Sequence, residues 1–383
     1  MTYLFIFYLF LFLIFYVYIG YFILILVLGF FYNRKVKKEK NYPNICFMIA
    51  AYNEEKTIEE KLKNTLCLDY PKDKLKIVVV SDASSDQTDL IVKKYFSDNV
   101  QLIRIEGRVG KTQARNEAVK MVDEEIIVFS DATTIYHKNA LTYLVQNFSD
   151  PEVGMVTGHL IYTEDANSSM SVGQSAFWQY ESLIKKAQTK LGTLTGSVGC
   201  ITAFRRKLYT ELPAHIIEDF TGPLCIIQKG YRVVYEDKAL CFEKPTKRSR
   251  NEFSMRVRVI RGGMTGLFFA REVLNPLQYP MVSFQLISHK ILRWLSPLIF
   301  AFVFIFSNFL YLIQVESLLV SLCVWLEYTF LFLVFLGFLC EKKSIKINGI
   351  SFFYYFFVLN LAASKAMIDQ LYKTLPANWE TDR

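Results

Sequence analysis

From Met1 to Asn33 the chain carries no charged side chain, and most of its residues there are apolar or aromatic. A helix needs about 20 apolar residues to cross a bilayer. In hydrocarbon only helices and closed barrels satisfy their own backbone, so this run predicts a transmembrane helix over residues 1–33. It lacks the basic start, short apolar stretch and small-residue cleavage site of a secretory leader, which points to an uncleaved anchor. Asn33-Arg34-Lys35-Val36-Lys37-Lys38-Glu39-Lys40 follows at once, and such a basic cluster marks the cytoplasmic side. The expected orientation puts the N-terminus outside and the next block in the cytosol, at a plasma (inner) membrane.

The chain turns apolar again after Ala270. Residues 271–295 read as interfacial helices, because Tyr279 to Trp294 carries His289, Lys290 and Arg293 among apolar residues. Residues 296–370 hold three spanning candidates, Ser296 to Ile313, Ser317 to Cys340 and Gly349 to Ala363, and 371–383 form a tail. Strict alternation leaves that tail outside, whereas Lys365, Lys373 and Arg383 favour the inside. Glu327 lies in an otherwise apolar span; it either lines a lipid or glycan path or pairs within the helix bundle.

Between the two apolar ends, residues 43–270 alternate short apolar runs with amphipathic stretches. Ile45 to Ala50, Leu75 to Val80, Val100 to Ile105 and Glu125 to Ser130 read as strands. Helices follow Asn53 (with Ile58, Leu62 and Leu66 four apart), Ser84-Ser85-Asp86 and Gly110. Strands alternating with helices predict a parallel α/β sheet. The net charge of +8 is concentrated in the juxtamembrane run and in Lys244 to Arg261, which suits orientation and anionic lipid better than nucleic acid. Seven cysteines and four histidines are scattered without zinc spacing, so reduced thiols and no structural metal are expected.

The chemistry is expected in acids placed at the predicted strand ends. Asp82 closes Val78-Val79-Val80-Ser81-Asp82, Asp131 closes Ile126-Ile127-Val128-Phe129-Ser130-Asp131, and Asp219 closes Ile216-Ile217-Glu218-Asp219. Open parallel sheets bind ligands beyond the carboxyl ends of their strands. In Ala50-Ala51-Tyr52-Asn53-Glu54-Glu55, Tyr52 offers a face to a nucleobase and Glu54 an acceptor for a ribose hydroxyl; a helix cap explains the same residues. Gly107-Arg108-Val109-Gly110-Lys111 puts flexible backbone and a cation at a helix start, a seat for a diphosphate, without P-loop spacing. Asp131 can hold Mg2+ or Mn2+, hard cations that take oxygen ligands. A carboxylate such as Asp219 can take the proton of an acceptor hydroxyl, although Glu218-Asp219 also suits a cap for a helix over Phe220 to Lys229.

Taken together, Ala50 to Glu55, Asp82 to Thr88, Gly110-Lys111, Asp131-Ala132-Thr133 and Glu218-Asp219 resemble, in order, the AYNEE, DxSxDxT, GK, DxD and ED elements of family-2 glycosyltransferases. The similarity covers roughly Pro43 to Leu267 and is strongest to the membrane-embedded subgroup. That subgroup contains the cellulose, hyaluronan, chitin and poly-N-acetylglucosamine synthases and ceramide glucosyltransferase. The resemblance implies a GT-A nucleotide-sugar domain with a mostly parallel sheet, flanked by transmembrane and interfacial α-helices. It further implies that Asp82 contacts uracil, Asp131 the metal, and that Asp219 is the catalytic base. The sequence departs from the subgroup in three places. Thr133 ends the DxD element, Ala50 replaces a common proline, and Met255-Arg256-Val257-Arg258-Val259 stands for QxxRW without its tryptophan. Arg256 and Arg258 remain candidates for the donor diphosphate. Trp178, Gly199 and Glu218 are acceptor-side candidates, with helix packing the simpler account of Trp178.

The expected function is inverting, metal-dependent transfer from a nucleotide sugar, with a UDP-sugar as the expected donor, to a membrane-associated glycan or lipid. The alternatives are a single-sugar transferase to a polyprenyl phosphate or ceramide-like lipid, and a catalytically silent subunit of a polysaccharide export complex. A transporter is disfavoured, since four spans and a large cytosolic block leave little room for a conduction path.

Overall fold

The computed structural model describes residues 2–163, 169–245, 249–343, 345 and 347–372. Residues 373–383 of the expected tail, with Lys373 and Arg383, lie outside the described residues, as do 246–248 of the basic stretch.

One sheet holds β1 (Ile45–Ala51), β2 (Leu75–Asp82), β3 (Val100–Ile105), β4 (Ile126–Asp131), β5 (Ile135–Tyr136), β6 (Val153–Tyr162), β7 (Ile201–Arg205) and β8 (Arg232–Glu243). Their order is β3-β2-β1-β4-β7-β6-β8-β5. The first four strands run parallel. β7 is antiparallel to β4 and β6, and β8 returns parallel to β6, so the sheet is mixed and its parallel half carries the crevice. The central strands of that half, β1 and β4, are continuous apolar runs because both of their faces are covered, whereas the edge strand β3 exposes Gln101 and Arg104. Along β1, Ile45, Phe47 and Ile49 enter one core while Cys46 and Met48 enter the other.

Register sets the strand ends side by side. Ala50 of β1 pairs with Val80 on one flank and with Asp131 on the other, and Asp82 lies two residues past Val80. Neighbouring strands are about 4.8 Å apart. Asp82 and Asp131 therefore face each other across the end of β1, roughly two strand spacings apart. Asp219 ends no strand. It lies in the first turn of the helix Glu218–Gln228, because the Ile216-Ile217 pair ahead of it packs as loop: an added Cβ on Gly262 would lie 1.9 Å from Ile217 Cδ1. A Cβ on Gly266 would lie 2.1 Å from Thr221 Oγ1. Glycine at both positions lets the helix Ser249–Phe269 lock onto the segment carrying Glu218 and Asp219.

Among the described residues four helices are long and apolar enough to cross a membrane: Thr2–Phe31, Pro280–Leu312, Leu318–Lys342 and Gly349–Tyr372. The stretch from Tyr279 to Trp294, read from the sequence as lying in the interface, continues without a break into the span that follows. Its polar side chains point into the protein. Buried Glu181, on the helix Ser169–Lys190, sits 3.1 Å from His289 Nε2 and also accepts from Arg293. Glu327 is paired within the bundle, accepting from Ser307 Oγ at 2.8 Å and Asn308 Nδ2 at 3.1 Å.

Candidate active site

The loops after β1 and β2 are tied to one another. The Ser85 N–H donates to Asn53 Oδ1 (2.8 Å), the Glu54 N–H to Thr88 Oγ1 (2.8 Å) and the Glu55 N–H to Asp86 Oδ2 (3.0 Å). Asn53 adopts φ +54° to make this turn, a conformation that asparagine tolerates better than most residues. Asp86 and Asn53 are thereby committed to loop structure, and the Glu54 carboxylate accepts from Thr57 Oγ1 at 2.6 Å. The Tyr52 ring is faced by the guanidinium carbon of Arg108 at 4.1 Å.

Asp82 is buried and accepts two backbone N–H groups, from Val109 and Gly110, each at 2.9 Å. The glycine loop is thus drawn over the end of β2, which delivers Lys111 to β4: Lys111 Nζ donates to Asp131 Oδ1 at 2.6 Å. Beyond Asp131, the chain is held from beneath. The fully buried Lys61 donates to the Thr134 carbonyl at 2.6 Å and lies over the Tyr136 ring at 4.2 Å. Burial pushes the Lys61 ammonium down to about 7.

Arg115 joins the acids. Lying four residues after Lys111 on the helix Lys111–Lys120, it donates through Nη2 to Asp131 Oδ1 (3.3 Å) and through Nη1 to Glu218 Oε2 (2.9 Å). Its guanidinium is 1% exposed and rests 4.3 Å from the Phe129 ring centre. Burial works to lower its proton affinity, and Glu218, Asp131 and Asp219 together outweigh it. Glu218 is held high mainly by burial, with Arg115 opposing and Asp219 adding to the rise. The backbone carbonyl of Asp219 accepts from the Ser197 N–H (2.9 Å) and Ser197 Oγ (2.8 Å). Its carboxylate lies against Gly199, where a Cβ would come within 2.0 Å of Oδ1. Asp219, Glu218, Arg115, Ser197 and Gly199 line one small cavity.

Asp82, Lys111, Asp131 and Glu218 are thus connected through the glycine loop and Arg115, and Asp219 and Gly199 line the cavity that Arg115 and Glu218 share with them. Arg256 is not brought there. It is buried between Glu252 Oε1 (2.8 Å) and the Tyr355 hydroxyl (2.8 Å), with its guanidinium 4.8 Å from the Phe177 ring centre. Arg258 sits half-buried two residues further along the same helix. Trp178 is faced by Lys185 Nζ at 4.5 Å and stands edge-on to Tyr162, and it does not line the Asp219 cavity. Sequence reasoning missed Arg115, whose i+4 spacing from Lys111 puts both on one helix face. It also missed Glu243 at the end of β8, which accepts from the Thr133 hydroxyl at 3.4 Å; no local pattern connects those two positions.

A parallel strand group with acids at its carboxyl ends, extended by an antiparallel flank, is the architecture of the GT-A glycosyltransferases. In fold the chain is similar to a mannosyltransferase from Pyrobaculum calidifontis solved with GDP-Man and Mn2+, with a TM-score of 0.72 at 21% identity, over 95% of this chain and 98% of that one. Residues 46–212 match the family described as "Glycosyl transferase family 2". The chain is 32% identical over 228 residues to the poly-beta-1,6-N-acetyl-D-glucosamine synthase of Staphylococcus aureus (strain COL), covering 57% of this chain and 54% of that protein. It is 27% identical over 306 residues to the synthase of the same name from Staphylococcus epidermidis, covering 77% and 70%. The match to the S. aureus synthases thus spans about half of their length. The chain carries a family-2 glycosyltransferase domain.

Proposed function

We propose that the crevice takes a nucleoside diphosphate sugar, a UDP-sugar first, and that the sugar passes with inversion to a membrane-associated glycan or lipid on the cytosolic side. The observation that carries this reading is the linkage of Asp82, Asp131 and Glu218 through the glycine loop, Lys111 and Arg115, with Asp219 next to Glu218 lining the same cavity as Arg115. Tyr52 and Asp82 would hold the base, and Glu54 the ribose. An acceptor hydroxyl entering over Gly199 would give its proton to the Asp219 carboxylate as its oxygen bonds to the anomeric carbon. The bond from that carbon to the diphosphate breaks on the opposite face, and the Lys111 ammonium meets the charge released there.

Asp131 is the residue that would hold Mg2+ or Mn2+. A carboxylate at a strand end suits a hard cation. Among the described residues no group of three His, Cys, Asp or Glu could share it, so the donor's own phosphate oxygens would complete the shell. The bound ion supplies charge neutralisation at the diphosphate.

The names of the staphylococcal relatives support N-acetylglucosamine as the first sugar to test, and the Pyrobaculum enzyme supports GDP-mannose as the second. Detergent-solubilised protein is expected to hydrolyse one of UDP-N-acetylglucosamine and GDP-mannose with manganese, and Asp131→Ala to lose that activity; hydrolysis of neither donor overturns the reading. A single transfer to a lipid is the second reading. It is favoured by Val259, which stands exposed where the polymerases carry tryptophan. Product sizing separates a ladder from one species.

The acceptor side has its own test. An alanine at position 199 displaces the Asp219 carboxylate, since the added carbon and Oδ1 cannot share 2.0 Å. Misplacing a catalytic group by about 1 Å costs on the order of 100-fold. Gly199→Ala is therefore expected to lose about that much transfer activity while nucleotide affinity stays near wild type. Wild-type turnover in this variant would show that the carboxylate is not needed where it stands.

A further inference from the structure

The contacts a nucleotide donor would make in the crevice are already made by the chain itself. The planar guanidinium of Arg108 covers the Tyr52 ring, 4.1 Å from its centre, on a face offered to a base. The Val109 and Gly110 N–H groups occupy both oxygens of Asp82 at 2.9 Å. Lys111 Nζ occupies Asp131 Oδ1 at 2.6 Å. These four residues are consecutive, so one short segment fills the seats for base and cation together.

We propose that the segment Arg108–Lys111 is an internal stand-in for the donor, and that a nucleoside diphosphate binds by displacing it from Tyr52, Asp82 and Asp131. This rests on the reading that the crevice is a nucleotide-sugar site. The segment is built to move. Gly107 and Gly110 bracket Arg108 and Val109 with φ of +73° and +89°, a region glycine enters and leaves at little cost. A Cβ on Gly107 would meet nothing within 4 Å, so there is room at the first hinge. The contacts released are ones a nucleotide can replace in kind: a guanidinium on a ring, two N–H groups on the buried Asp82 carboxylate, and one ammonium on a half-buried acid. The device keeps Asp82 hydrogen-bonded and Asp131 charge-paired between turnovers and makes apparent donor affinity depend on how often the segment opens.

The sign of one substitution separates a gate from a grip. Binding of UDP with Mn2+ to the full-length protein in detergent is measured by calorimetry for wild type, Arg108→Ala and Arg108→Gln. The proposal expects UDP to bind both variants about two- to fivefold more tightly than wild type, the worth of one partly exposed cation–π contact. Equal or weaker UDP binding by the variants, with wild type binding, overturns the gate and leaves the nucleotide reading intact. If none of the three binds UDP, and none binds GDP in the same assay, the nucleotide reading falls and the gate with it.

Discussion

Asp219→Asn is expected to lower sugar transfer by about a thousandfold, within the range that a positioned general base contributes, while UDP affinity stays within about twofold of wild type. The asparagine keeps the shape of the side chain and loses its charge and its capacity to take a proton. The structural duty of this residue lies in its backbone, whose carbonyl accepts from Ser197 N and Oγ, so the substitution leaves the local fold in place. Arg115 keeps its two direct anchors, Glu218 and Asp131. Initial rates with whichever of UDP-N-acetylglucosamine and GDP-mannose the protein hydrolyses, beside calorimetric titration with UDP, check both halves. A folded Asp219→Asn enzyme with wild-type rate would remove this residue from the base role and turn attention to Glu218.

The second large effect belongs to Arg115. Arg115→Met leaves Glu218 buried beside Asp219 with its cation gone, and removing one partner of a buried ion pair costs about 3–5 kcal/mol. The expected outcome is a fall of that size in unfolding free energy by denaturant titration, together with loss of transfer. Arg115→Lys should not rescue it, because one ammonium lacks the fork that reaches Asp131 and Glu218 at once. The deficit also depends on pH in a defined sense. Burial holds the Glu218 carboxyl above its ordinary range, with Arg115 opposing that rise, so losing Arg115 lifts it further. A group whose folded pKa lies above its unfolded one contributes most below the unfolded value, near 4.5, and loses that contribution as pH rises through the folded value. The variant should therefore approach wild-type stability in acid and fall away towards neutrality. Adding Glu218→Gln should recover part of the loss at neutral pH, since replacing both partners removes the stranded charge. A variant as stable as wild type at neutral pH would show that the bridge between the strand end and the Glu218–Gln228 helix carries little weight.

These residues also show where reading the chain succeeded. The central strands of the parallel half were legible because burial on both faces turns them into unbroken apolar runs, as in Ile45 to Ala50 and Ile126 to Phe129. The later strands were not, and glycine is one reason. In β6, Gly154 and Gly158 stand where a Cβ would lie 2.7 Å from Tyr231 Cβ and 2.6 Å from the Ala239 carbonyl oxygen. They serve close packing yet read as turn residues. Asp82 and Asp131 were legible as strand ends. Asp219 was not, because two β-branched residues before an acid look the same whether they close a strand or pack as a loop on Gly262. The Arg256 assignment came from resemblance alone, and no spacing could reveal that Tyr355, 99 positions away, takes its guanidinium. Arg115 was hidden for the opposite reason: an arginine in an amphipathic helix reads as a solvated face until the fold buries it between two acids.

On the proposed function, these separated carboxylates form one nucleotide-sugar crevice at the carboxyl ends of β1, β2 and β4. The most direct measurement is the structure of the protein with UDP and Mn2+, with manganese located by its anomalous scattering. The expected result is manganese on Asp131, uracil against Tyr52 where Arg108 now lies, and the diphosphate beside Lys111 on the side facing Asp219. Nucleotide and manganese bound instead in the polar groove at the other end of the strands, among Lys76, Glu124 and Arg206, would contradict it.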